Sequence, residues 1–144
     1  MNEIKRVFLD TAPVIYYVQR NEFFFEKVKE IFIRLRKMNA QFVSSDITTA
    51  EACVYPYRFG KNDWLDAFDN LIKDAPVEII HTSDEIARKT ARIRALYQSF
   101  KTMDSIQLAT AVVGECDLFL TNDKRLCQFQ DLRCLTIDDF VSLL

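Results

Sequence analysis

The sequence predicts an α/β domain in which a mainly parallel sheet of about five short strands is flanked by helices, and three observations support it. First, five apolar runs of strand length, 7–9, 42–44, 77–80, 118–121 and 134–137, alternate with longer stretches of helical period. Second, only two glycines, Gly60 and Gly114, and three prolines, Pro13, Pro56 and Pro76, interrupt 144 residues, too few for the many turns of an all-β architecture. Third, 49% hydrophobic residues beside 28% charged ones describe a chain that buries a core and is not disordered. At this length about two thirds of the unfolded surface can be buried without disulfide or metal staples. The expectation is one domain over 1–144.

The elements follow in order. "RVFLD" carries Val7, Phe8 and Leu9 as a buried strand that stops at Asp10, and Pro13 is tolerated because it falls in the first turn of the helix that follows. Phe23, Phe24 and Phe25, with Tyr16 and Tyr17 nearby, exceed what one amphipathic stripe needs; three successive phenylalanines at a helix start cannot all face inward, and the remainder suggests a partner surface. Val28, Ile31, Phe32 and Leu35 then repeat at i, i+3, i+4, i+7. After the strand 42–44, "SSDITTAEAC" opens a helix that contains Glu51. Trp64, Leu65, Phe68, Leu71 and Ile72 mark the next helix, with Asn62 as its expected cap. Thr82-Ser83-Asp84-Glu85 reads as a capping box before the stripe Ile86, Ile93, Leu96, Tyr97 and Phe100, and Thr102 precedes the helix of "MDSIQLATAVV". The runs 118–121 and 134–137 complete the sheet.

Composition removes several function classes. No stretch approaches the roughly 18 apolar residues of a membrane span, and "MNEIKR" leads into a strand without a signal-peptide core, so a cytoplasmic location is expected. Cys53, Cys116, Cys127 and Cys134 form no C-x-x-C pair and His81 is the only histidine, which argues for reduced thiols and against zinc. A net charge of −2 excludes nucleic-acid binding by bulk attraction; any such contact has to be local.

The chemistry is carried by acids. In open α/β sheets, sites lie beyond the carboxyl ends of the strands, and Asp10 and Asp123 each follow such an end. The helix of Asp104 leads into the strand 118–121, so it runs opposite to that strand and sets its first turn at the same edge. Glu51 lies early in the helix after 42–44, again near that edge. Singly, Asp10, Asp104 and, less easily, Glu51 are what a helix start favours, and an aspartate just past a strand is usually a turn residue. Together, four carboxylates at one edge raise one another's pKa values unless a cation neutralises them, and an oxygen-only donor set suits Mg²⁺ or Mn²⁺.

In order and spacing, "FLDTAPVIYYV", Glu51 in "SDITTAEAC", "KTMDSIQLATAV" and "LFLTNDKRL" resemble the four acidic motifs of the PIN-domain family, and more closely its VapC-type toxin ribonucleases of type II toxin–antitoxin systems. The resemblance covers nearly the whole chain. The third motif is the most specific, an aspartate opening a helix rich in the small residues Ala109, Thr110 and Ala111. Ser105 stands where family members often carry alanine, and Pro13 is unusual so early in the first helix, yet neither departure removes a carboxylate.

The resemblance implies a three-layer PIN-like fold and a metal-dependent endoribonuclease, the toxin of a toxin–antitoxin pair. It also implies a cognate antitoxin docked near the first helices, and a homodimer. Asp10 and Asp104 are then the principal ligands of Mg²⁺ or Mn²⁺, Glu51 a ligand or a base that orients water, and Asp123 a further ligand or a partner of one. Thr121 and Asn122 hold the loop and the metal's waters by hydrogen bonds. Metal-activated water needs no histidine or serine, in keeping with this composition. RNA contact is expected from Lys101, Lys124 and Arg125, which flank the motifs, ahead of Arg58, Lys61 and the group Arg88, Lys89, Arg92 and Arg94.

Other readings fit less well. A haloacid-dehalogenase-type phosphatase needs an acid two residues after Asp10, where Ala12 stands; a response-regulator receiver needs an acidic pair that is absent; two glycines cannot build a phosphate loop. The alternative from another class is a catalytically inert PIN-like module that binds RNA or protein, and affinity for Mn²⁺ separates the two.

Overall fold

Residues 3–144 are described by the structure, a computed structural model; Met1 and Asn2, the start of the stretch read as lacking a signal core, lie outside the described residues. Strands β1 (Arg6–Leu9), β2 (Gln41–Ser45), β3 (Glu78–Ile80), β4 (Leu118–Thr121) and β5 (Arg133–Thr136) form one sheet in the order β3-β2-β1-β4-β5, and every pairing is parallel. Parallel neighbours require crossovers. Three are supplied by helix pairs, α1 (Thr11–Val18) with α2 (Phe25–Lys37), α3 (Asp46–Phe59) with α4 (Asn62–Asp74), and α5 (Asp84–Leu96) with α6 (Thr102–Val113); the fourth, from β4 to β5, runs through the 3₁₀ turn Lys124–Gln128, and α7 (Ile137–Val141) follows β5. The chain builds outward from β1 through β2 to β3, then returns to add β4 and β5 on the other side. The order therefore reverses between β1 and β4, where Leu9 pairs with Leu120.

A strand covered on both faces has to be apolar throughout, which is why "VFL" and "LFL" are continuous hydrophobic runs. Alternation sends Phe8 and Phe119 to one face, where their rings stack at 5.2 Å and pack with Ile86, Ile93 and Leu108 of α5 and α6. Val7, Leu9, Leu118 and Leu120 point to the other face and meet Val14, Val28, Ile31 and Phe68 of α1, α2 and α4. This gives three layers. On α6, Ala109, Thr110 and Ala111 are all buried, so the helix lies close to its neighbours. Gly114 ends α6 where a Cβ would stand 2.6 Å from Ile80 Cδ1 and 3.0 Å from the Thr110 carbonyl oxygen. Gly60 ends α3 at φ 63°, a left-handed turn suited to glycine.

Several local expectations change. The sheet among the described residues is wholly and not just mainly parallel. The last strand stops at Thr136, because the Thr136 hydroxyl accepts the Asp139 N–H at 3.1 Å and starts α7 at Ile137. Lys61, without a side-chain cap, precedes α4, and Asn62 is already helical. Ser83 caps α5 by accepting from Ile86 N, while Thr82 is drawn away to Asp46 through its N–H and hydroxyl. Of the three phenylalanines, Phe23 is 73% exposed, whereas Phe24 and Phe25 stack on Tyr16 and Tyr17. All four cysteines are free, and no helix among the described residues is long and apolar enough to cross a membrane.

Candidate active site

Asp10 leaves β1 in an extended conformation and starts α1. Its Oδ1 accepts the Thr11 N–H at 2.9 Å, its Oδ2 accepts the Thr121 hydroxyl at 2.8 Å, and Gln107 Nε2 approaches Oδ1 at 3.4 Å. Only 8% of the residue is exposed. Burial pushes its carboxyl up to about 6, against the hydrogen bonds from Thr121 and Thr11, and the nearby charge of Asp104 pushes the same way.

Asp104 lies in the first turn of α6, and its pKa is raised by burial and by Asp123, with Arg125 opposing. Glu51, in the second turn of α3, accepts the Thr11 hydroxyl at 2.7 Å. Asp123 caps the short 3₁₀ turn Lys124–Gln128, its Oδ1 accepting Arg125 N at 3.0 Å while its own N–H donates to Thr121 Oγ1 at 3.1 Å. The Thr121 hydroxyl thus ties the end of β4 to Asp10 and to the Asp123 loop. Asn122 donates to Tyr16 Oη at 2.8 Å, so its side chain pins the loop to α1.

Asp10, Glu51, Asp104 and Asp123 line one cavity of about 490 Å³ at the carboxyl ends of β1 and β4, together with Thr11, Tyr16, Thr121 and Asn122. A larger groove, about 690 Å³, opens between α1, α2 and α4, but Asp74 is the one acid among its described lining residues.

The donor set fits a hard divalent ion: carboxylates and hydroxyls converge without thiol or imidazole, and one carboxylate is buried. As the side chains stand, no three acids among the described residues already meet at a common ligating point. A cation of the protein's own bridges two of them, Arg125 Nη2 lying 2.8 Å from Asp123 Oδ2 and 3.3 Å from Asp104 Oδ2.

The expected substrate contacts are therefore redistributed. Arg125 is turned onto the acids, Lys124 pairs with Asp139 at 3.0 Å, and Lys101, exposed just before α6, makes no salt bridge among the described residues. Arg88 and Lys89 on α5 pair with Asp84 and Asp131, and His81 is exposed beside Asp46.

Sequence reasoning passed over Gln107. It is 1% exposed, its Oε1 accepts the Ser45 hydroxyl, and its Nε2 donates to Thr48 Oγ1 at 2.7 Å, with Thr11 Oγ1 and Asp10 Oδ1 each at 3.4 Å. One amide thereby joins the ends of β1 and β2 and the start of α3. The available signal was a glutamine on the small, apolar face of α6, three residues after Asp104. Gln107→Leu is expected to lower stability by roughly 2–3 kcal/mol, since it leaves buried hydroxyls unpaired. It should also weaken Mn²⁺ binding by the folded protein; an unchanged melting temperature in a thermal scan would contradict the hub role.

The PIN domain family model matches residues 7–132. No curated protein matches the chain in sequence. Among solved structures, the fold is similar to that of VapBC from Salmonella typhimurium bound to DNA, with TM-score 0.73 and 18% identity over 93% of this chain and 99% of that one. VapBC2 from Rickettsia felis, bound to a fragment of its promoter, gives 0.72 and 16% over 91% and 98%. A toxin–antitoxin complex from Klebsiella pneumoniae gives 0.67 and 21% over 91% and 97%.

Proposed function

Because this chain belongs to the PIN domain family, we propose that it is a divalent-metal-dependent endoribonuclease, acting as a single cytoplasmic domain and as the toxin of a toxin–antitoxin pair. The observation that carries the reading is the convergence of Asp10, Glu51, Asp104 and Asp123, from four separate segments, on one cavity where the strand order reverses. Asp10 and Asp104 would hold Mg²⁺ or Mn²⁺, with Asp123 and Glu51 completing the acidic wall. When bound, the ion supplies an activated water and neutralises charge on the phosphate.

The chain's own residues do the rest. Thr121, Thr11 and Gln107 fix the Asp10 carboxylate before any ligand arrives. Glu51, held by Thr11, would orient the attacking water and accept its proton, or serve as a further ligand. Lys101, which makes no salt bridge among the described residues and whose charge lowers the Asp104 pKa, would meet the RNA phosphate.

The antitoxin reading is supported by the solved toxin–antitoxin complexes of similar fold and by the groove between α1, α2 and α4. Val18, Phe32 and Phe42 provide an apolar floor, while Arg20, Arg36 and Lys37 provide a basic rim suited to an amphipathic segment with acidic flanks. A homodimer would use the exposed side chains of Val54, Tyr55, Tyr57 and Phe59 near the end of α3.

The test is incubation of purified protein with a pool of structured RNAs, in Mn²⁺ or Mg²⁺ and in EDTA. Cutting that requires the metal is expected. Equal traces in all lanes, with no Mn²⁺ binding by calorimetry, would favour the inert RNA-binding or protein-interaction module.

A further inference from the structure

We propose that Arg125 is a resident counter-cation of the acidic cavity, which a divalent ion has to displace and whose guanidinium therefore sets the metal affinity of the site. The inference rests on the metal-site reading above and concerns what competes for that site. A single nitrogen, Nη2, contacts Oδ2 of both Asp104 and Asp123, so the guanidinium already uses oxygens that an ion would need. An ion on those atoms would place like charges within a few ångströms of each other in a half-buried setting, where screening is poor. The two cations exclude one another.

The pose of Arg125 is also incompletely satisfied. Among the described residues its Nε is buried without a hydrogen-bond partner, and Nη1 has one long contact, 3.4 Å, to the Ser99 carbonyl oxygen. The inward orientation is held chiefly by the two carboxylates. With 34% of its side chain exposed, Arg125 has a path to solvent. The backbone does not need to follow, because Arg125 N remains bonded to Asp123 Oδ1 whichever way the side chain points. The metal-free protein is thus neutralised internally, and metal uptake is an exchange of one cation for another.

Calorimetric titration of Mn²⁺ into the metal-stripped full chain tests this with wild type, Arg125→Gln and Lys124→Gln. Lys124→Gln makes the same change of charge one residue away, at a side chain that faces Asp139. Arg125→Gln is expected to bind Mn²⁺ about tenfold more tightly than wild type or better, and Lys124→Gln within about twofold. In EDTA, Arg125→Gln should melt at a lower temperature than wild type, and saturating Mn²⁺ should close the gap. If Arg125→Gln does not fold without metal, Arg125→Met, which keeps the apolar stem, carries the same expectation. Equal or weaker Mn²⁺ binding by the variant, with wild type binding normally, would overturn this inference alone. Absence of Mn²⁺ binding by both proteins would overturn the metal-site reading and this inference together. Binding by the variant but not by wild type would be its strongest support.

Discussion

Asp104→Asn is expected to reduce RNA cleavage by on the order of a hundred- to a thousandfold, the size of effect seen when one preorganised electrostatic group is removed from a reacting centre. The variant should keep its fold. Asparagine has nearly the shape of aspartate, and in the first turn of α6 it forgoes only the modest interaction of a carboxylate with the helix dipole. The charge itself is poorly accommodated, since burial and Asp123 both raise the Asp104 pKa while Arg125 offsets them only in part. Losing it relieves repulsion from Asp123 and weakens one contact of Arg125, two small and opposed changes in stability. Single-turnover cleavage of RNA beside a thermal melt checks both halves. A wild-type rate would remove Asp104 from the site, and a collapsed melting temperature would make it structural.

Asp10→Asn carries a second large effect, with opposite signs for function and stability. Mn²⁺ binding and cleavage should be lost, whereas the metal-free protein should become more stable at neutral pH. Burial lifts the Asp10 carboxyl from 3.8 to about 6. A raised pKa means that the unfolded chain ionises first as pH increases. Stability from this group is therefore fully present below about pH 4, is lost as pH rises toward about 6, and stays lost above it. The shift corresponds to on the order of 3 kcal/mol. In EDTA, wild-type stability should fall across that window relative to Asp10→Asn, which has no carboxyl to ionise there. Parallel pH profiles for the two proteins would show that Asp10 ionises freely in the fold.

Much of the architecture could be read directly, for reasons visible in particular residues. "VFL" and "LFLT" are buried on both sides, so their hydrophobic runs have no polar interruption and identify central strands. Where a local bond decided the outcome, periodicity misled. Ile137 looks like a strand residue, but the Thr136 hydroxyl captures Asp139 N and turns the chain into α7. The capping-box spacing from Thr82 to Glu85 points to Thr82, but Thr82 bonds Asp46, 36 residues earlier in the chain, and Ser83 caps α5.

The four acids could be nominated because α/β topology dictates which chain positions arrive at one edge. Their supporting contacts could not. Gln107 meets Ser45 and Asp10 across 62 and 97 residues, and an isolated glutamine in a helix announces no such partners. Arg125 shows the same limit in another form: a cation after a motif aspartate can face a phosphate or a carboxylate, and only packing selects between them. Here it selects the carboxylates.

The most direct test of the central claim is manganese-edge anomalous diffraction from crystals soaked in Mn²⁺. An anomalous peak within ligating distance of the Asp10 and Asp104 carboxylates, with Arg125 moved away from Asp104, is the predicted result. Manganese bound elsewhere, or no peak among the four acids at saturating Mn²⁺, would contradict the assignment of this cavity as the reactive centre.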